Sequence, residues 1–77
     1  MNTNITQSLD ARGLNCPLPI LRTKKAIASL NEGEILQVTA TDPGSVKDME
    51  SLCTQTGHEL ISSSQDGGDF VFHIRKH

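Results

Sequence analysis

Apolar residues recur with a helical period in two segments of this chain, and each segment has a single apolar face. In residues 17–30 that face carries Ile20, Thr23, Ile27 and Leu30, flanked by Leu21 and Ala28. In the second segment it carries Val46, Met49, Leu52 and Cys53. A helix with one apolar stripe must bury that stripe against another element. The chain must therefore supply a layer on which both helices pack.

Four segments predict the strands of this layer because they are rich in β-branched residues or alternate in polarity. They are residues 5–10, 34–41, 58–65 and 69–76, and Asp66-Gly67-Gly68 between the last two is typical of a hairpin turn. The element order is β-α-β-α-β-β. We predict an α/β (α+β) fold, a two-layer sandwich in which two helices cover one face of a four-stranded mixed sheet. These patterns leave the strand order open.

The helix ends also carry sequence signals. Pro17 is predicted at the first position of helix one, where its missing N–H costs nothing, and Asn31-Glu32-Gly33 is predicted as the stop. Ser45 is predicted as the N-cap of helix two, with Asp48 in the capping-box position. Gly57 suits the position just after that helix.

Length and charge restrict the classes of function. The 77 residues are enough for one domain, residues 1–77, with one core of mainly aliphatic side chains. The net charge of -2 argues against binding to nucleic acid or to an anionic membrane. No apolar run approaches the roughly 20 residues that span a bilayer. We expect a cytoplasmic protein, in which two cysteines do not form a disulfide framework.

Cys16 is the candidate reactive residue. It lies just before helix one, where free amide hydrogens and the helix dipole favour an anion, and a thiol there ionises more readily than usual. Pro17 and Pro19 stiffen the first turn. Pro19 occupies the position at which a C-x-x-C oxidoreductase carries its resolving thiol. A sulfur-bonded adduct on Cys16 would therefore persist until a partner protein attacks it.

Other interpretations of the cysteines and histidines remain open. A lone cysteine is often a small buried apolar residue, so Cys16 is either reactive or structural, and Cys53 on the apolar stripe is predicted to lie in the core. His58, His73 and His77 do not combine with the cysteines in a zinc-binding spacing, so we predict no metal site and no cofactor.

The sequence around Cys16 resembles the signature of the TusA/SirA-like sulfur carrier family, a C-P-x-P motif after a Leu-Asp…Gly lead-in. The matching stretch is Leu9-Asp10-Ala11-Arg12-Gly13-Leu14-Asn15-Cys16-Pro17-Leu18-Pro19. Further similarity to the family continues through E-G-E, D-P-G-S-V-K-D, T-G-H-E and I-R-K, so it covers about residues 8–76. The resemblance implies a two-layer α/β sandwich with the motif cysteine at the start of helix one.

The resemblance also implies a function. Cys16 would receive sulfane sulfur as a persulfide and pass it on, with Pro17 and Pro19 as motif prolines and Leu9, Asp10 and Gly13 as the lead-in. The implied donors are cysteine desulfurases or rhodanese-like proteins, and the implied acceptors are DsrE/TusBCD-like proteins. The pathways would be sulfur oxidation, tRNA thiolation or cofactor biosynthesis. The sequence is somewhat more similar to the carriers of sulfur-oxidising bacteria.

The outward face of helix one carries Leu18, Arg22 and Lys25. These residues either form an ordinary solvated face or contact an acidic partner near the thiol. Two other functions stay open. One is a non-catalytic interaction or regulatory module with a structural Cys16; the other is a selenium-related or redox role in which Cys16 pairs with Cys53.

Overall fold

The computed structural model describes residues 5–15 and 17–77, which form four strands and two helices in the predicted order. The elements are β1 (Gln7–Ala11), α1 (Leu18–Ala28), β2 (Ile35–Ala40), α2 (Ser45–Thr56), β3 (Glu59–Asp66) and β4 (Asp69–Arg75). No helix among these residues is long and apolar enough to span a bilayer.

The strands form one mixed sheet in the order β1-β2-β4-β3, which the sequence patterns had left open. β1 pairs with β2 in parallel, and the other two pairs are antiparallel. The parallel pair requires a crossover connection, which α1 provides, so α1 runs antiparallel to β1. β1 and β3 are the two edge strands.

The core lies between the helices and one face of the sheet. The central strands β2 and β4 place Val38 opposite Phe72 and Leu36 opposite Ile74, and all four side chains are fully buried. The helices cover them with Ile27 of α1 and, from the predicted stripe of α2, Met49, Leu52 and Cys53. This arrangement confirms the predicted two-layer fold.

The opposite face of the sheet is polar. The His73 ring lies in its centre, with Nδ1 2.7 Å from the Ser62 hydroxyl and Nε2 3.0 Å from Gln37 Oε1. Arg75 and Glu59 form an exposed ion pair across β4 and β3.

The predicted apolar face of α1 is confirmed at Thr23 and Ile27, but its predicted flank is not. The buried positions of the helix are Pro19, Thr23 and Ile27, which recur every four residues, whereas Leu21 is 53% exposed and Ala28 is exposed too. The Pro19 ring is apolar, so the buried stripe passes through it, and the Thr23 hydroxyl is satisfied by donating to the Pro19 carbonyl at 2.7 Å. The prediction that Leu21 flanks the buried face was wrong.

The predicted cap of α2 is also wrong by one residue. Gly44 is the N-cap, and Ser45 is the first helical residue. The Ser45 hydroxyl donates to the Asp42 carbonyl at 2.6 Å and so stabilises the preceding turn. Gly57 is confirmed at the C-cap: its φ of 82° is left-handed, and its N–H donates to the Cys53 carbonyl at 2.9 Å.

Candidate functional site

The site is centred on the N-terminus of α1. Cys16, the predicted reactive residue, lies outside the described residues, so the site is defined by its neighbours in the chain. Pro17 is the N-cap, with φ -98° and ψ 14°, and its carbonyl accepts the first helical hydrogen bond from the Leu21 N–H at 3.1 Å. The predicted position of Pro17 was therefore wrong by one residue, since its backbone is not helical. Pro19 lies in the first turn, as predicted.

The electrostatics at this end of α1 favour an anion. A helix N-terminus carries a partial positive charge and unbonded N–H groups. At this end the Leu18 N–H already donates to the Asn15 carbonyl at 2.9 Å, and Pro19 has no N–H. The partial positive charge is offset neither by a polar side chain on Pro17 nor by an acidic residue in the first turn. Cys16 directly precedes this N-cap in the chain. The local field is therefore of the sign that stabilises a thiolate.

The loop that leads into the site is held to the sheet. Gly13 has a φ of 79°, which a residue with a Cβ adopts only with strain, and its N–H donates to Thr41 Oγ1 at 2.9 Å. The Leu14 N–H donates to the Ala11 carbonyl at 3.3 Å. This conformation explains why glycine occupies this position of the lead-in.

The lead-in aspartate binds the next-but-one residue in the chain. Asp10 accepts hydrogen bonds from Arg12 Nε at 2.9 Å, from Nη2 at 3.2 Å and from the Arg12 backbone N–H at 3.1 Å. The side-chain hydrogen bond from Arg12 lowers the pKa of Asp10, with further lowering by the backbone N–H. Arg12 also lies 3.8 Å from Asp69 Oδ2, at the start of β4. These exposed ion pairs add little stability, so their effect is to orient the loop.

A groove with a volume of about 660 Å³ runs between α1 and the edge strand β1. It brings together the predicted partner contacts Leu18, Arg22 and Lys25 with two further leucines, Leu9 and Leu21. Gln7, Ala26 and Ser29 complete the lining. The leucines supply apolar surface next to the α1 N-terminus, and the two cations follow along the helix.

The sequence patterns predict no contact for Arg12 or Thr41, and they place Leu21 beside the buried face of α1 instead of in the groove. The Asp-x-Arg spacing at the end of β1 was a usable signal for the Arg12 contact, because it places the Asp10 and Arg12 side chains within reach of each other. Thr41 is distant in the chain and carried no such signal.

The other titratable groups do not assemble into a metal centre among the described residues. His58 accepts a hydrogen bond at Nδ1 from the His77 N–H at 3.0 Å, and burial together with the charges of Lys76 and His77 lowers its pKa. His73 bonds to Ser62 and Gln37 on the polar face of the sheet.

Cys53 lies in the core, as predicted, and burial raises the pKa of its thiol. Folding favours the neutral thiol of Cys53. The contribution of this thiol to the free energy of unfolding is intact below its unfolded pKa of about 8.5, and it is lost as pH rises through the pKa in the folded protein. We expect the free energy of unfolding to fall more steeply above about pH 8.5 in the wild-type protein than in Cys53→Ala. Urea titrations at increasing pH measure both slopes, and parallel slopes would contradict the expectation.

Comparison with known proteins relates the chain to a family. Residues 7–76 match a family model described as sulfurtransferase TusA. A sulfur carrier protein TusA of Allochromatium vinosum is 57% identical over 70 residues, which cover 91% of this chain and 92% of that protein. A putative sulfur carrier protein of Neisseria meningitidis serogroup A is 47% identical, with coverage of 91% and 95%.

A solved structure has the same fold. The crystal structure of a SirA-like protein from Desulfitobacterium hafniense superposes with a TM-score of 0.81 and 28% sequence identity. The superposition covers 91% of this chain and 96% of that one.

Proposed function

Since this chain belongs to the TusA sulfurtransferase family, we propose that it is a sulfur carrier that holds sulfane sulfur as a persulfide on Cys16. One structural observation carries the proposal: Cys16 directly precedes Pro17, the N-cap of α1, and this end of the helix has neither an acidic residue in the first turn nor a polar N-cap side chain. A persulfide and a thiolate are both anions that such an end stabilises. Pro17 and Pro19 fix the direction of this turn.

The transfer step needs no external oxidant or reductant. The Cys16 thiolate attacks the outer sulfur of a donor persulfide, a new S–S bond forms on Cys16, and the donor cysteine leaves as a thiolate. Delivery repeats the step with the roles exchanged, because an acceptor thiolate attacks the outer sulfur on Cys16. The loop before Cys16 contributes to this transfer by its conformation. The Asp10–Arg12 pair and the Gly13 hydrogen bond orient the chain that leads into Cys16.

The finer assignment rests on the family resemblance. We infer a cysteine desulfurase or a rhodanese-like protein as the donor and a DsrE/TusBCD-like protein as the acceptor, within sulfur oxidation, tRNA thiolation or cofactor biosynthesis. We further infer that the chain acts as one domain in the cytoplasm, where a reducing environment keeps an uncombined thiol free. The relatives that are named sulfur carrier proteins support the carrier role.

Incubation with a rhodanese and thiosulfate tests the proposal. We expect the intact mass of the protein to increase by one sulfur atom and dithiothreitol to remove the increase. Cys53→Ser is the matched control and is expected to load like the wild type, because Cys53 is buried in the core. Cys16→Ser is expected to remain unmodified.

Two results would refute the carrier role. One is the absence of a single-sulfur adduct with both a rhodanese and a cysteine desulfurase, and the other is an adduct that persists in Cys16→Ser. Ordinary iodoacetamide reactivity across pH, with full partner binding by Cys16→Ser, would favour the interaction module instead.

A further inference from the structure

We propose that the groove between α1 and β1 binds an extended acidic segment of the sulfur-transfer partner, which adds to the sheet as a strand beside β1. The proposal rests on the carrier function, and it specifies how the partner is recognised. It follows from three properties of the groove: its charge, its free sheet edge and its spacing.

The charge of the groove is opposite to that of the whole chain. The chain has a net charge of -2, yet the groove contains Arg22 and Lys25 and is lined by no acidic residue. Within residues 5–15 and 17–77, neither cation forms an ion pair, whereas Arg12 and Arg75 do. Two uncompensated cations in a partly apolar groove favour an occupant that carries carboxylates.

The edge of the sheet in the groove is available for pairing. β1 is an edge strand that pairs with β2 on one side, and it contains no proline, lysine or bulge to block its other side. Its one charged residue, Asp10, lies near the end of the strand and is paired with Arg12. The opposite edge strand, β3, is interrupted by a register shift between Leu60 and Ser62. Bulges and charged residues are the usual protection of an edge against strand addition. β1 is therefore the edge that accepts a strand.

The spacing of the side chains defines the pattern of the occupant. Along α1, Leu18 and Arg22 are about 6 Å apart, and Leu18 and Lys25 are about 10 Å apart. Residues i, i+2 and i+4 of a strand share one face and are separated by about 7 and 13 Å. Because α1 runs antiparallel to β1, an added strand lies along the same row of side chains. The groove thus fits the pattern apolar-x-acidic-x-acidic, with the apolar residue nearest the thiol-bearing loop.

This arrangement has a functional consequence. Sulfur transfer needs two cysteines in contact, and Leu18 is two residues after Cys16. A partner whose apolar residue contacts Leu18 and Leu21 brings its own thiol-bearing region to the N-terminus of α1. The acidic residues then set the direction in which the segment lies.

A fluorescein-labelled peptide with the central sequence Leu-Thr-Glu-Thr-Glu is the probe, and its binding is measured by anisotropy on the wild-type protein and on Cys16→Ser. We expect equal binding to both. We expect Lys25→Glu to weaken binding at least about tenfold, which is about 1.4 kcal/mol. Lys47→Glu, the same change at an exposed position of α2, is the matched control and is expected to change binding less than about twofold.

Two further peptides separate charge from strand addition. A lysine-for-glutamate peptide is expected not to bind, and an N-methylated peptide that keeps its carboxylates is expected to bind at least about tenfold more weakly. Hydrogen exchange is expected to slow in the amides of β1 when the parent peptide binds. Equal binding by the N-methylated peptide, protection of β3 instead of β1, or no binding at all would each overturn the proposal.

A second copy of the chain is the alternative occupant of the groove. Sedimentation of the protein alone detects it, and a dimer that the peptide displaces would overturn the proposal. Failure of the peptide experiments with normal sulfur loading from rhodanese would refute the docking mode and leave the carrier function standing. Normal peptide binding without sulfur loading would refute the carrier function and leave the docking mode standing.

Discussion

Pro19→Cys is expected to shorten the lifetime of the persulfide on Cys16 by at least about a hundredfold, because a thiol held nearby reacts as an intramolecular group. The substitution creates a C-x-x-C sequence in the first turn of α1. The introduced thiolate attacks the inner sulfur of the persulfide, so that a disulfide forms and hydrosulfide leaves. The protein is loaded with rhodanese and thiosulfate, and intact mass is followed over time together with released sulfide.

Pro19→Ser is the matched control for this experiment. It loses the same buried ring as Pro19→Cys and gains the same backbone N–H, but it introduces no thiol. We expect its persulfide to last about as long as that of the wild type. Equal lifetimes in the serine and cysteine variants would contradict the role assigned to the missing resolving thiol.

Phe72→Ala is expected to lower the free energy of unfolding by about 3–5 kcal/mol, the usual cost of deleting a buried phenyl ring. Phe72 is fully buried on the central strand β4, opposite Val38. Total stabilities of natural domains are about 5–15 kcal/mol, so this change removes a large share and leaves the domain close to unfolding. Urea denaturation followed by circular dichroism measures the loss.

Val71→Ala is the control on the neighbouring residue of the same strand. Val71 lies half-buried on the polar face of the sheet, so we expect a cost of about 1 kcal/mol. Comparable losses in the two variants would mean that the polar face, and not the layer between sheet and helices, holds the main packing energy. Unchanged denaturant slopes in both would confirm that the stabilities can be compared.

The fold was predictable because its signals are local. The α2 stripe and Gly57 at the end of that helix follow from side-chain period and backbone preference. The family resemblance around Cys16 is likewise carried by contiguous residues, and the family assignment is confirmed by the match over residues 7–76. The role of Cys16 itself stays a prediction.

The incorrect predictions share a physical cause. The helical period alone predicts Leu21 on the buried flank, yet the Pro19 ring is buried in the core and Leu21 is exposed. The residue type of Ser45 predicts a cap, whereas its hydroxyl donates to the Asp42 carbonyl of the preceding turn. In both cases the deciding neighbour is only two or three residues away, but its effect depends on the backbone conformation, which residue type alone does not give.

The groove was predictable only in part for a different reason, because it combines residues that are distant in the chain. Leu18, Arg22 and Lys25 could be grouped from the helical period alone. Leu9 joins them because β1 is the edge strand beside α1, and the strand order that places it there did not follow from the sequence patterns.

The parallel pairing of β1 with β2 also bears on the order in which the domain assembles. β3 and β4 are joined by the two residues Gly67 and Gly68, and such hairpins close in roughly 1–10 μs. β1 and β2 pair across 29 residues of chain, and β2 and β4 pair across 30 to 40, so both pairings are of long range and form after the hairpin. We therefore expect a chain in which only the hairpin has closed not yet to hold the segment that leads to the thiol.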